Sequence, residues 1–322
     1  MTKISRQAQI SEDLAGQRLD QAAHALFSDF SRSRIQQWIK DGSLTVNKQT
    51  AVKNKQKVTG NELLHIETEV DAHDQWQAEC VPLHIVYEDN AIMLINKQDQ
   101  LVMHPAAGNY SGTLLNGLIY HNPNLTRLPR AGIVHRLDKD TTGLLVVAKT
   151  LEAYTFLVDQ LQRRLVSREY DALVNGQLIS GGTIDKAISR DPRNRLKFCC
   201  HPEGKTAVSH YKIINRYRGI THISVKLETG RTHQIRVHCS EEGFPIVGDV
   251  LYGGRKYTGQ STEATRNALI NFPRQALHAR KLGLIHPETR KYLNWEIDLP
   301  EDMAELIAGL TRQTGVLFSS GQ

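Results

Sequence analysis

The sequence of 322 residues carries only four cysteines, Cys80, Cys199, Cys200 and Cys239. They form no CxxC pair, and the adjacent Cys199 and Cys200 cannot readily bridge each other. That excludes a disulfide framework and makes a reduced, cytoplasmic protein the expectation. No apolar run approaches the length of a membrane span, and the N-terminal MTKISRQAQISEDLAG lacks the apolar centre of a signal peptide, so neither membrane attachment nor export is expected. Internal repeats and low-complexity tracts are absent. So are a GxxxxGK[ST] phosphate loop, a GxGxxG opening a helix, a GxSxG elbow and the HxE–PCxxC pair of zinc deaminases. Nothing in the chain asks for a bound nucleotide, flavin or metal, and no cofactor is expected.

What remains is a globular chain. A hydrophobic fraction of 40% supports a true core, and the length suits two domains. The formal net charge of +6 suits a polyanionic partner such as RNA or DNA, although many basic proteins have no such partner.

The first fifth of the chain reads as a compact α+β unit. In QRLDQAAHALF, Leu19, Ala22, Ala23 and Leu26 share one face of a short helix. Ser31 can cap a second helix, with Ile35, Trp38 and Ile39 on its apolar face, Arg32, Arg34, Gln36 and Lys40 on its polar side, and Gly42 ending it. A strand at Leu44–Asn47, a loop with Lys48, Lys53, Lys55 and Lys57, a Gly60–Asn61 turn and a strand with Leu64 and Ile66 inward complete the unit. Residues 69–80 are polar, without period, and read as a linker. Beyond Pro82 the texture turns to β. A hairpin joins Ile85–Tyr87 to Ile92–Ile95. Thr113 can cap a helix carrying Leu114, Leu115, Leu118 and Ile119. Thr150 can cap another that buries Leu151, Tyr154, Leu157, Val158 and Leu161. Later strands are expected at YDALVNG, HYKIINRY, HISVKLE and THQIRVH, and a last helix at EDMAELIAGLTRQ. The expected fold is therefore α+β: a small α+β domain at 17–68 after an N-terminal tail at 1–16, then a domain at 81–312 built on a mixed, mainly antiparallel sheet flanked by helices and loops, with a tail at 313–322.

Three stretches could carry chemistry. In RAGIVHRLDKDTTGLLVVAKT, residues 130–150, two apolar runs enclose His135, Arg136, Asp138, Lys139 and Asp140. The runs fit two strands, or one strand and its approach. In isolation such a loop is usually a solvated turn; in a cleft, the neighbouring cations would keep Asp138 ionised, as a carboxylate nucleophile requires. In LETGRTHQIRVHC, residues 227–239, strand alternation puts Thr232, Gln234, Arg236 and His238 on one side and His233, Ile235 and Val237 on the other. Opposite faces for the two histidines argue against zinc. In SREYDALVNG, Tyr170 opens an alternating strand, and becomes interesting only if it shares a cleft with Asp138.

Taken together, HRLDKDTTGLLVVAK, SREY and GRTHQIRVH, in that order, resemble the signature segments of pseudouridine synthases acting on large-subunit ribosomal RNA. IVGDVLYGG, the Asn96–Lys97 pair, His104–Pro105 and HARKLGLIHP are similar to further segments of that family; Gln98 stands where the family often has proline. Residues 17 to about 66 resemble the small RNA-binding module named after ribosomal protein S-four, an arrangement most like the family's D type. The resemblance implies catalytic roles for Asp138, Tyr170 and Arg236: a required aspartate, a tyrosine stacking on the target base and a basic partner for the aspartate. It implies Arg136 as the residue entering the RNA stack when the nucleotide flips out. RNA contacts are expected from Arg32, Arg34, Lys40, Lys53 and Lys55, with a weaker extension over Lys186, Arg190, Arg193, Arg195 and Lys197.

The implied reaction is isomerisation of uridine in 23S ribosomal RNA, in the hairpin loop of helix 69, by a monomer acting on the RNA or a pre-ribosomal particle without cofactor. Whether Asp138 attacks the ribose or takes one of its protons stays open. Other readings are a synthase acting on other rRNA or tRNA sites, a catalytically dead RNA-binding assembly factor, and a base-excising glycosylase.

Overall fold

A computed structural model describes residues 2–27, 30, 32–50, 53–70, 76–106, 108–253 and 262–316. The chain divides into two compact units, Met1–Cys80 with Leu115–Ala131, and Val81–Leu114 with Gly132–Gln322. This differs from the expected boundaries in grouping residues 115–131 with the N-terminal part. The proposed cap Ser31, part of the expected linker (71–75) and the end of the expected C-terminal tail (317–322) lie outside the described residues.

In the first unit, β1 (Thr2–Gln9), β2 (Leu44–Val46), β3 (Gln49–Thr50) and β4 (Leu63–Val70) form an antiparallel sheet in the order β1-β4-β2-β3. Helices α1 (Leu19–Leu26) and α2 (Arg32–Asp41) bury Leu19, Ala22, Ala23, Ile35, Trp38 and Ile39 against Leu44, Leu64 and Ile66. The helical periodicity and the alternation of β4 thus point inward as expected. Residues 1–16 are a correction: half of the supposed tail is β1, an edge strand in register with β4 from Thr2↔Val70 to Gln9↔Leu63. Its polar sequence, TKISRQAQ, with only Ile4 and Ala8 apolar, carries too little apolar signal to be recognised as a strand from sequence. Asp20 is fully buried in the first turn of α1. Its carboxylate accepts from Arg18 (Nε, 2.9 Å), Arg32 (Nη2, 2.9 Å) and Gln36 (2.5 Å). Burial alone would raise its pKa, but these donors outweigh it and hold the group below the usual carboxylate range.

The second unit is organised by a nine-stranded sheet. Its strands are β5 (Ile85–Glu88), β6 (Ile92–Lys97), β7 (Thr142–Ala148), β8 (Ser167–Asn175), β9 (Gly182–Asp185), β12 (Val208–Tyr217), β13 (Ile220–Leu227), β14 (Leu277–Ile285) and β15 (Tyr292–Glu296), and β10 (Ile188–Arg190) and β11 (Phe198–Cys200) make a separate hairpin. The order is β5-β6-β7-β14-β8-β13-β12-β9, with β15 also on β14. Every pairing is antiparallel except β14 with β7, so the sheet is mixed and mainly antiparallel, as expected. The helices of this unit are α4 (Leu151–Gln162), α5 (Gln234–Glu241), α6 (Glu263–Ile270) and α7 (Glu301–Val316), whereas α3 (Leu114–His121) falls, beyond its first residue, in the segment grouped with the first unit. Thr150 caps α4 by accepting from the Ala153 N–H at 3.1 Å, but Leu151, expected on the buried side, is exposed. Helix α7 extends beyond the expected domain end at 312.

Of the two readings of the charged stretch, two strands or one strand and its approach, the second holds: Gly132–Val134 is not a strand and touches β7 by one bridge, Ile133↔Val147. One expected strand needs correction. THQIRVH is helix α5, entered through His233 in the left-handed conformation (φ 57°). All residues from Gln234 to Cys239 are buried, so the helix has no polar face and its 3.6-residue period is invisible in sequence.

The loop between Val134 and β7, which carries Asp138, is fastened from several sides. Lys97 is 1% exposed, and its ammonium donates to the carbonyls of Gln98 (2.7 Å), Leu101 (3.0 Å) and Lys139 (2.7 Å). Gln275 donates to Thr141 Oγ1 at 3.1 Å, and Thr142 Oγ1 meets His278 Nδ1 at 2.8 Å. The parallel contact of β7 with β14 requires Gly143 (φ 113°), because a Cβ there would lie 2.3 Å from the Ala279 carbonyl oxygen.

Gly143→Ala should therefore lower stability by about 3 kcal/mol or more, combining backbone strain with overpacking; an unchanged urea midpoint would contradict this account of the β7–β14 contact. Burial lowers the Lys97 pKa to about 8 against an ordinary 10.5. Between those values the unfolded chain holds a proton that the folded chain has lost, so the contribution of this group to stability rises with pH. Urea unfolding at pH 7 and pH 10 should show wild type gaining on Lys97→Met by up to roughly 3 kcal/mol. A constant difference would mean that Lys97 is not depressed.

Candidate active site

The charged loop, strand β8 and helix α5 bring together residues 98 positions apart in the chain. Asp138 is half-buried, next to the buried anchor Leu137, and its backbone carbonyl accepts from the Thr141 N–H at 3.1 Å. Arg236 reaches it from the first turn of α5: Nη1 donates to Asp138 Oδ2 at 2.9 Å. The other edge of the same guanidinium forks onto Asp249, Nε to Oδ2 at 2.7 Å and Nη2 to Oδ1 at 2.9 Å. Asp249 is 1% exposed and its Oδ1 also accepts from the N–H groups of Leu251 (3.1 Å) and Tyr252 (3.2 Å). Burial opposes the charge on Arg236, but the hydrogen bonds and charges of Asp249 and Asp138 prevail and raise its pKa. Arg236 is a fixed cation, and its planar fork matches carboxylate geometry as a lysine would not.

His233 stands on the other side of Asp138, Nε2 to Oδ1 at 3.9 Å. Burial lowers the His233 pKa against the pull of Asp138, favouring neutral imidazole. Its Nδ1 lies 2.8 Å from the Tyr252 hydroxyl, which accepts from the Phe198 N–H at 2.9 Å. Burial pushes the Tyr252 phenol up to about 12, so it keeps its proton; the His233 tautomer with Nδ1 accepting from that hydroxyl is the one that turns an Nε2–H toward Asp138. The ring of Tyr252 also lies under Arg236, 5.1 Å from Cζ to centroid. Tyr170, 7% exposed, projects from β8. Burial raises its pKa, Arg168 opposes and Asp138 adds to the rise, so the phenol stays protonated within the field of the Asp138 carboxylate.

The structure thus brings Asp138, Tyr170 and Arg236 together. The cation bonded to Asp138 is Arg236, whereas its sequence neighbours Arg136 and Lys139 are exposed. Arg136 makes no hydrogen bond or ion pair among the described residues. The strand-face assignment that separated His233 from His238 does not hold, since His233 is the residue before α5 and His238 lies within it; His238 is fully buried between Ser209 Oγ (2.9 Å) and the Lys186 carbonyl (2.9 Å). Of the expected RNA contacts in the first unit, Lys40, Lys53 and Lys55 are exposed, Arg34 lies over Trp38 at 5.8 Å, and Arg32 is bonded to Asp20. In the β10–β11 hairpin, Arg190 covers the Phe198 ring at 5.0 Å, and that ring meets His233 edge-on at 5.5 Å.

Asp249, His233, Tyr252 and Lys97 received no role from sequence. A signal existed for Asp249: a lone carboxylate inside IVGDVLYGG is a buried charge that must find a cation. Nothing local marked Tyr252 or His233, whose contacts depend on the turn into α5.

Comparison with known proteins gives the family. The RNA pseudouridylate synthase family matches residues 91–241 and the S4 domain matches residues 17–64. A Pseudomonas aeruginosa protein named ribosomal large subunit pseudouridine synthase D is 53% identical over 316 residues, covering 98% of each chain. An Escherichia coli K12 protein of the same name is 49% identical over 306 residues, covering 95% of this chain and 94% of its own. Human RNA pseudouridylate synthase domain containing 4 shares the fold, with a TM-score of 0.54 at 22% identity over 70% of this chain and 92% of that one. With the S4 domain ahead of the synthase match and about half of its residues identical over nearly the whole length of these relatives, the chain belongs to the RNA pseudouridylate synthase family.

Proposed function

We propose that this RNA pseudouridine synthase acts on large-subunit ribosomal RNA, in the hairpin loop of helix 69, and that Asp138 is its catalytic carboxylate. The observation carrying the reading is the Asp138–Arg236–Asp249 bridge beside the buried Tyr170. The choice of ribosomal RNA is supported by relatives of that printed name that match both units end to end.

The chemistry follows from the residue types. Isomerisation breaks the bond between uracil N1 and ribose C1′ and makes one from C5 to the same carbon, while the C5 proton leaves and N1 gains one. Atoms and electrons balance without a redox partner. Asp138 either attacks C1′ or takes a ribose proton, and both routes need an ionised carboxylate held in place. Arg236 positions it, and Asp249 positions Arg236. Tyr170 stacks on the uracil, which must be retained while it turns, and its phenol is a candidate for moving the C5 proton. The target nucleotide leaves its stack at a cost of a few kcal/mol, least in a loop, with Arg136, exposed and unpaired among the described residues, taking its place. Lys40, Lys53 and Lys55 add phosphate contacts from the first unit, with Arg34; Arg32 contributes through whatever its bond to Asp20 leaves free. The enzyme works as a monomer on RNA or a pre-ribosomal particle.

The reading is tested by mapping carbodiimide-reactive uridines in total RNA, by reverse-transcription stops, from cells with the wild-type gene, without it, and with Asp138→Ala. Stops in the helix 69 loop should vanish in the last two, while purified Asp138→Ala still binds the RNA. Persistence of those stops in the variant would remove Asp138 from the chemistry, and stops lost elsewhere instead would relocate the target. Asp249→Asn keeps the shape but not the charge that anchors Arg236. It should lower kcat by about 10- to 100-fold, roughly 1.4–2.7 kcal/mol, with KM for RNA little changed.

A further inference from the structure

Arg168 is a charged side chain without a counterpart. It is 8% exposed, and its Nε is sealed from solvent with no hydrogen-bond acceptor. Among the described residues its guanidinium makes no hydrogen bond or ion pair, unlike Arg236, Arg274 and Arg280, which each fork onto or pair with carboxylates. A buried unpaired guanidinium is costly to the fold and should have been replaced or paired unless something else supplies the acceptor.

Its position identifies the missing partner. Arg168 and Tyr170 are two apart on strand β8, which runs on without an inserted residue while its neighbour β14 bulges opposite at Arg280, and strand alternation puts them on the same face. The guanidinium lies against Gly230, an exposed residue in the turn that leads to His233 and Arg236; a Cβ on Gly230 would stand 2.5 Å from Arg168 Nη1. Its charge also bears on Tyr170 and on half-buried His135, three residues before Asp138. The three segments that build the site therefore converge on one arginine that serves none of them.

We propose that Arg168 is a substrate-binding residue whose free donors take a phosphate flanking the target uridine as the base settles against Tyr170. Arginine binds phosphate oxygens through parallel N–H donors, and such contacts set the register of a nucleic acid without reading its sequence. Gly230 is then glycine because no side chain fits between the strand and that anion. The assignment rests on the reading of Asp138 and Tyr170 as the reacting centre.

The test is a cycle across enzyme and substrate: wild type, Arg168→Met and Arg168→Lys, each on an RNA stem-loop with natural linkages and on versions with one neutral methylphosphonate, 5′ or 3′ of the target. On natural RNA, Arg168→Met should lose about 10- to 100-fold in kcat/KM, and Arg168→Lys less. Wild type should lose a similar factor on one methylphosphonate substrate, and on that substrate Arg168→Met should lose little more, because the same contact has been removed twice. Losses that multiply on both substrates overturn the proposal, whether the arginine binds a base carbonyl or merely packs. So does full activity of Arg168→Met. Failure of the reacting-centre reading would appear separately, as residual turnover by Asp138→Ala. Thermal unfolding of each variant accompanies the kinetics. A loss that follows Tm and ignores the substrate's linkage also counts against the contact.

Discussion

One guanidinium held between two carboxylates governs this site. Each edge of Arg236 is committed, one to Asp138 and the other to the almost fully buried Asp249. Removing three charges from water is expensive, and only near-complete mutual satisfaction makes it tolerable. The backbone N–H groups of Leu251 and Tyr252 complete Asp249, and the Tyr252 ring and hydroxyl continue the network to Arg236, His233 and Phe198. Segments around 138, 198, 233 and 250 are thus fixed to one another through polar contacts that lose their value if any one is displaced.

The apolar architecture supplies the frame. Strand β7 lies at the middle of the sheet and is buried throughout, so the loop before it has a rigid end from which to project. Its close contact with β14 brings Gln275 and His278 to the loop, and Lys97 reaches it from β6. Rigid strands with a short polar loop between them place a carboxylate more accurately than a long loop could.

Much of this was legible in the residues. Alternation placed β5 and β12, which have one face in the core and another toward solvent, capping placed α4, and the apolar, β-branched runs placed β6, β8 and β13, which are buried on both faces. The identity of Asp138, Tyr170 and Arg236 came from the resemblance of three segments in order, and the structure brings them together. What failed had a physical cause. Helix α5 is buried on all sides, so Gln-Ile-Arg-Val-His-Cys shows apparent strand alternation and no helical face. Strand β1 is polar and at an edge, and declares itself only through its pairing with β4. Asp249 and Tyr252 were visible as letters in a glycine-rich segment, but their service to Arg236 depends on a meeting that sequence spacing does not encode.

The buried Asp20 also limits how the first unit can respond to ions. Arg18 and Arg32 are both bonded to it, so part of the positive charge counted in that module is already neutralised from within. Binding to a polyanion liberates condensed counterions in proportion to the cations that newly meet phosphate. The salt dependence contributed by this unit should therefore follow its exposed lysines, and be shallower than its tally of basic residues implies.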